Sequence, residues 1–195
     1  MFIAFEGVDC CGKSTIINKL KSIVSSNVVF TREPGGNDEN EDLRKCLFKN
    51  IDKIDPLSAQ VIMMGMRLNK KYPEDKVTIS DRCVASLAYY NSFFTLLGIS
   101  VQLHTKFPDY LFYFDINPEE AVRRMKARNV KDGYDTTQLA VINKRISNYS
   151  SILSFLTKTK IIVIDANRSV EEVLESVKYY LNIISEHTNE TILQK

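Results

Sequence analysis

Gly7 and Gly12 bracket four residues, and Lys13 and Ser14 follow at once, in the stretch GVDCCGKST that runs from residue 7 to residue 15. Residue types at this spacing suit the grip of a polyphosphate. Glycines let consecutive backbone N–H groups turn inward around an anion. A lysine then brings a mobile positive charge to the outer phosphates, and a serine hydroxyl can ligate a magnesium ion held between them. Gly7, Cys10, Cys11, Gly12, Lys13, Ser14 and Thr15 are therefore the expected donor-nucleotide contacts, with Lys13 projecting from an exposed loop and taking little part in core packing. Such a loop needs a buried strand before it and a helix after it. Met1–Phe5 is a short apolar run, and Ile16, Ile17, Leu20, Ile23 and Val24 follow at helical spacing. The N-terminus of that helix would turn its partial positive charge toward the phosphates.

The rest of the chain must position this loop. Its 195 residues, 44% hydrophobic and 26% charged, suit one globular domain over 1–195 with a core that needs no covalent staples. A formal charge of +2 is too small for a surface that coats a polyanion, so no nucleic-acid partner is expected. Cys10, Cys11, Cys46 and Cys83 show no C-x-x-C spacing, which argues against a zinc site or a disulfide framework. No apolar run reaches membrane-spanning length, and the first strand lacks the marks of a secretory signal. A cytoplasmic protein with no membrane partner is expected.

Strand-like runs recur at 2–6, 27–31, 76–81, 109–115 and 160–165, most of them rich in Val, Ile, Leu or Phe as parallel strands buried on both faces should be. Between them lie helical patterns. Asp55-Pro56 reads as an N-cap with proline in the first turn of a helix reaching about Lys71. Asn117 with Glu120, and Ser169 with Glu172, read as capping boxes. Leu139, Ile142, Ile146, Tyr149, Ile152 and Leu156 form one apolar stripe. The polar tail from about residue 186 to 195 is expected to fray. The alternation predicts an α/β protein: a five-stranded, mostly parallel sheet flanked by helices in three layers. Ligands of such sheets bind beyond the carboxyl ends of the strands. Glu6-Gly7, Thr31-Arg32, Asp81-Arg82, Asp115 and Asp165 should meet at that edge.

Three further motifs follow the phosphate loop in order: TREPGG at 31–36, SDRCVASLAYY at 80–90 and FPDYLFYFD at 107–115. Together the four resemble the thymidylate kinase family over nearly the whole chain, from Phe2 through the IDAN stretch at 164–167 to the last helix. The resemblance implies a P-loop kinase fold with a helical lid, ATP as phosphoryl donor, magnesium, dTMP as acceptor and a homodimer. It places Asp9 near the acceptor phosphate. It adds Arg32, Pro34, Met63 and Arg67 to the acceptor site, together with Ser86, Tyr89 and Tyr90, with Tyr89 against the deoxyribose. Asn167 joins the donor side.

The chemistry of the residues runs the same way. Phosphoryl transfer between nucleotides needs charge neutralisation and alignment rather than covalent catalysis. Ser14 and Asp81 can hold magnesium, and Arg82 can grip a phosphate in two-pronged fashion. Lys13, Asp9, Arg82 and Arg128 are the expected catalytic set. The basic run RRMKARNVKDGYD at 123–135 resembles the family's lid; Arg124 and Arg128 stand four apart on a helix and can face one way.

The chain also departs from the family pattern. Met63 stands where phenylalanine is common, and Cys83 and Tyr90 replace the usual residues. Cys10 and Gly133 occupy the loop and lid positions where members carry an arginine. Arg124, Arg128 and Lys131 are left as candidates for that charge. Other readings are a P-loop kinase for another pyrimidine deoxynucleotide or a deoxynucleoside, and, in a different class, a nucleotide-binding switch or a degenerate scaffold.

Overall fold

Five strands form one sheet in the order β2-β3-β1-β4-β5. They are β1 (Phe2–Glu6), β2 (Val28–Arg32), β3 (Val77–Asp81), β4 (Tyr110–Asp115) and β5 (Lys160–Asp165), and every pairing is parallel. The structure, a computed structural model, describes residues 1–36, 40–90, 93–102, 104–128 and 136–194. Residues 129–135 of the expected lid, with Lys131 and Gly133, lie outside the described residues. The helices are α1 (Lys13–Leu20), α2 (Asn40–Lys49), α3 (Pro56–Leu68), α4 (Phe93–Gln102), α5 (Pro118–Ala127), α6 (Leu139–Phe155) and α7 (Val170–Thr188).

The central strand β1 is buried along its whole length, as the apolar run FIAF requires. Neighbouring residues of a strand face opposite sides of the sheet. On β4, Phe112 meets Tyr180 of α7 and its neighbour Tyr113 meets Tyr149 of α6, so these two helices cover opposite faces. α1 packs on α7, while α4 and α6 both pack on a 3-10 segment, Val84–Tyr89, that follows β3. The result is the expected three layers. The register pairs Arg32 with Asp81 and Asp115 with Asp165, bringing the strands' carboxyl ends to one edge.

Local signals differ in how well they translate. Asp55 caps α3 by accepting from Ser58 N at 2.9 Å, although the helix ends at Leu68 rather than near Lys71. Ser169 and Glu172 form the full capping box of α7. Asn117 makes no side-chain cap; Glu120 accepts instead from Arg123 and Arg124 on the same helix. The tail expected to fray is tied down. α7 continues to Thr188, Leu193 bridges Val24 in antiparallel fashion, and Ile192 is fully buried. Backbone bonds from Ser25 N to Ile192 O and from Gln194 N to Ile23 O clamp it over the end of the first helical region. Two adjacent apolar side chains, Ile192 and Leu193, packed against the core outweigh the polar composition around them.

Candidate active site

The phosphate loop is built in two layers. Gly7 stands at φ +144°, and a Cβ there would come within 2.7 Å of the Phe114 carbonyl oxygen, so only glycine lets the loop leave β1 against β4. Gly12, at φ +102°, is the left-handed residue from which α1 starts. Gly7 and the buried Cys11 form the back of the loop, whereas Cys10, Gly12, Lys13, Ser14 and Thr15 face a cavity of about 540 Å³. Lys13 differs from expectation. Its side chain folds back under the loop, donating to Gly7 O at 2.8 Å and Val8 O at 3.0 Å, and the residue is 5% exposed. An ammonium next to inward-turned carbonyls is held where it serves the loop first.

Ser14 and Asp81 meet across this cavity: the hydroxyl donates to Asp81 Oδ2 at 3.0 Å. A hydroxyl and a carboxylate side by side are the hard oxygen donors that magnesium takes when phosphates and water complete its shell. Among the described residues no cluster of three or more His, Cys, Asp or Glu could hold a metal by itself.

Arg82 is the centre of the opposite wall. It follows β3 at φ +75°, a left-handed conformation that is strained for a bulky side chain. Its guanidinium pairs with Asp9 Oδ1 at 2.5 Å and donates to Tyr89 Oη at 3.1 Å and Tyr149 Oη at 3.3 Å. Arg145, from α6, reaches Asp9 Oδ2 at 3.4 Å and lies 4.3 Å over the Tyr89 ring. Burial works to raise the Asp9 carboxyl, but the charges of Arg82 and Lys13, a hydrogen bond from Tyr89 and the charge of Arg145 outweigh it and hold the group below the usual carboxylate range. The two guanidinium groups of this wall are thus held in place by Asp9 and, behind Arg82, by the buried Glu6 carboxylate at 3.6 Å.

A smaller pocket of about 70 Å³ opens beside the first and shares Asp9, Pro34, Phe48 and Arg82 with it. Met63, Arg67, Ser86, Tyr89 and Tyr90 complete its lining. Tyr90 Oη donates to Met63 Sδ at 3.2 Å, and both residues are buried. Arg67 Nε lies 3.5 Å from Glu33 Oε2, while Arg67 Nη1 has no hydrogen-bond partner among the described residues. A buried guanidinium nitrogen in a pocket wall is placed to donate to an acceptor oxygen in that pocket.

Glu33 carries its own consequence. Burial pushes its carboxyl up to about 8, against the pull of Arg67, and Tyr72 Oη bonds to it. The native state thus holds this proton more tightly than the unfolded chain. The stability it contributes is complete below the carboxyl's ordinary value of 4.5 and is lost as pH rises through about 8. Glu33→Gln removes that dependence. Thermal melts of both proteins from about pH 5 to about pH 9 should show the variant gaining on the parent as pH rises; a constant difference would refute the buried neutral carboxyl.

Most sequence-predicted residues converge here. Arg32, Arg124 and Arg128 all line the larger cavity. Arg128, however, is the residue after α5, with extended backbone, so its approach does not depend on helical register with Arg124. Arg124 is held by Glu120 at 2.7 Å and by Ala166 O at 3.0 Å, and Arg128 Nη1 reaches Cys10 Sγ at 4.0 Å. Asn167 does not line either pocket. It ties the β5–α7 turn to α5, accepting from Asn117 N at 2.8 Å and donating to Asp165 at 2.8 Å. Four site residues escaped the sequence reading: Arg44 and Phe48 on α2, Glu33, and Arg145. Arg145 hides within an apolar stripe, but its position four before Tyr149 puts both on one helix face.

The family model for thymidylate kinase matches residues 5–177. A thymidylate kinase of Ureaplasma parvum serovar 3 is 33% identical, with 96% of this chain and 92% of that protein covered. One from Mycoplasma mobile is 30% identical over 91% of this chain and 95% of that protein. The crystal structure of thymidylate kinase from Ehrlichia chaffeensis has the same fold, with a TM-score of 0.67 and 23% identity over 93% of this chain and 98% of that one. With its loop, its arginine wall and these relatives taken together, the chain belongs to the thymidylate kinase family.

Proposed function

We propose that the two joined pockets carry the reaction of the family, transfer of the terminal phosphoryl group of ATP to dTMP, with donor phosphates in the larger and the acceptor nucleoside in the smaller. The observation that carries this assignment is the wall the pockets share: Asp9 and Arg82 face both, so an acceptor phosphate on Arg82 lies beside the phosphate loop. The loop amides, with Lys13, hold the donor phosphates. Arg82, oriented by Asp9, holds the acceptor phosphate, and Arg145 keeps Asp9 in place. Arg32 extends the arginine wall. Arg67 Nη1 meets an oxygen of the base, while Met63 covers the ring and Ser86, Tyr89 and Tyr90 close the sugar end.

Ser14 and Asp81 would hold magnesium, which when bound neutralises phosphate charge. We read residues 1–195 as one domain acting as a homodimer in the cytoplasm. No described helix is long and apolar enough to cross a membrane.

A coupled assay with ATP and a panel of dTMP, dUMP, dCMP and dGMP tests the assignment. Turnover should be greatest with dTMP; turnover confined to nucleosides, or ATP hydrolysis without an acceptor, overturns it. A variant separates the lid from the wall. Arg128→Ala should lower kcat about tenfold while ATP affinity stays close to the parent's, as for a charged contact completed in the transition state. Single-turnover rates and ATP dissociation constants measure both, and equal losses in the two would make Arg128 a ground-state contact.

A further inference from the structure

Glu6 ends β1 with a side chain that is fully buried, and its carboxylate is shared between three parts of the fold. Oε1 accepts from Cys83 N at 2.7 Å and from Ser86 Oγ at 2.8 Å, both in the segment that carries Arg82. Oε2 accepts from Tyr149 Oη of α6 at 2.7 Å and from Gly7 N at 3.4 Å, and lies 3.6 Å from Arg82 Nη1. Arg82 itself has φ +75°, with its backbone N bonded to Phe5 O at 3.0 Å. A strained residue persists only where its surroundings over-determine it. Here β1 supplies those surroundings from both sides: Phe5 O takes the N–H of Arg82, and Glu6 takes the N–H of the residue after it.

We propose that Glu6 is a positioning residue for the acceptor site, fixing the left-handed turn at Arg82 and, through Tyr149, tying the Arg82 guanidinium to helix α6. The inference rests on the reading of Arg82 as the acceptor-phosphate arginine. Glu6 itself touches neither pocket. Its carboxylate is suited to the task because all its neighbours are donors: two N–H groups, two hydroxyls and a guanidinium. An amide of the same shape cannot replace it. If the amide oxygen of glutamine faces Cys83 N, its NH₂ faces Tyr149 Oη and Arg82 Nη1; the hydroxyl can rotate to accept, but the guanidinium cannot. The mismatch therefore falls on Arg82 Nη1 and on the longer contact from Gly7 N, neither of which can accept.

Glu6→Gln should raise the KM for dTMP and lower kcat, each roughly tenfold, for the loss of bonds to a charged group, with the ATP dissociation constant within about twofold of the parent's. Tyr149→Phe keeps the ring against Tyr89 and Tyr113 and removes only the hydroxyl, so a smaller loss of the same kind is expected. The double variant should be little worse than Glu6→Gln alone, because both act through one network. If Glu6→Gln does not fold, the dTMP-specific loss in Tyr149→Phe decides the matter. A second readout is independent of turnover. The side-chain Nε–H resonance of Arg82 in a ¹⁵N spectrum should be single and sharp in the parent and broadened or split in either variant. Variants that melt earlier but keep the parent's KM for dTMP and the Arg82 signal would overturn the proposal and leave Glu6 a packing residue. Should dTMP bind equally well to the parent and to Arg82→Lys, the acceptor assignment fails instead, and the Arg82 signal still judges Glu6.

Discussion

Lys13→Ala is expected to cut turnover roughly 10²–10³-fold or more, the scale on which single preorganised charge-stabilising donors act. The cause is not confined to the lost charge. In the structure Lys13 Nζ bonds Gly7 O and Val8 O and lies 3.3 Å from Cys11 Sγ, so it stitches the loop together from beneath. Alanine removes the shortest bond to each carbonyl and leaves longer ones, from Arg82 Nη1 to Gly7 O and from Cys11 N to Val8 O, both at 3.4 Å, a loss of about 1 kcal/mol for each bond. The melting temperature should therefore fall by several degrees as well, contrary to what an exposed lysine would do. Lys13→Met, which keeps most of the packing, should recover part of the stability and none of the turnover. Melting curves and steady-state rates for both variants make the check. Methionine restoring the rate would mean that the lysine acts only as loop filler.

That difference shows what a sequence can carry. The five strands, their mostly parallel direction and the phosphate loop follow from patterns within a few residues of one another: apolar runs, glycines, an N-cap. So the fold and the residues at strand ends were legible. Lys13 was placed correctly in the chain and wrongly in its surroundings, because whether a lysine points out or folds under its own loop depends on carbonyls that only the folded turn presents. Arg145 was missed for a related reason. Its neighbours Ile142 and Tyr149 read as core, and nothing local tells that the same face also passes Asp9, which is 136 residues away. Glu33 reads as part of a motif, yet its raised carboxyl comes from burial beside Arg67, across a span of chain with no periodic signal. At the tail, composition misled: Ile192 and Leu193 are an apolar pair among polar residues, and their packing depends on the loop around Val24 and Ser25.

Arg82→Lys should be nearly as damaging, lowering kcat/KM for dTMP roughly 10²–10³-fold, although the charge is kept. Burial works against the charge on Arg82, but its partners Tyr89, Asp9, Tyr149 and Glu6 outweigh burial and keep the group firmly protonated. A lysine would keep a charge as well; what it cannot keep is the geometry. The guanidinium sends Nη2 to Asp9 and Tyr89 while Nη1 points to Tyr149, Ser86 and Gly7 O, and its plane lies 4.8 Å from the Tyr89 ring centre. One ammonium cannot reach both groups of acceptors. It would settle on Asp9, the nearest carboxylate, and withdraw from the face that an acceptor phosphate must meet. The loss should thus appear in dTMP KM and in kcat together, with the ATP dissociation constant changed less, since Arg82 touches the phosphate loop at Asp9 and Gly7 O and not at the residues that open α1. Asp9→Asn offers the complementary result: with the carboxylate gone, a lysine at 82 is released toward the phosphate, and the double variant should recover part of what Arg82→Lys loses. Isothermal titration of dTMP and of ATP into all three variants gives the comparison. A loss confined to ATP would move Arg82 to the donor side and reverse the assignment of the two pockets.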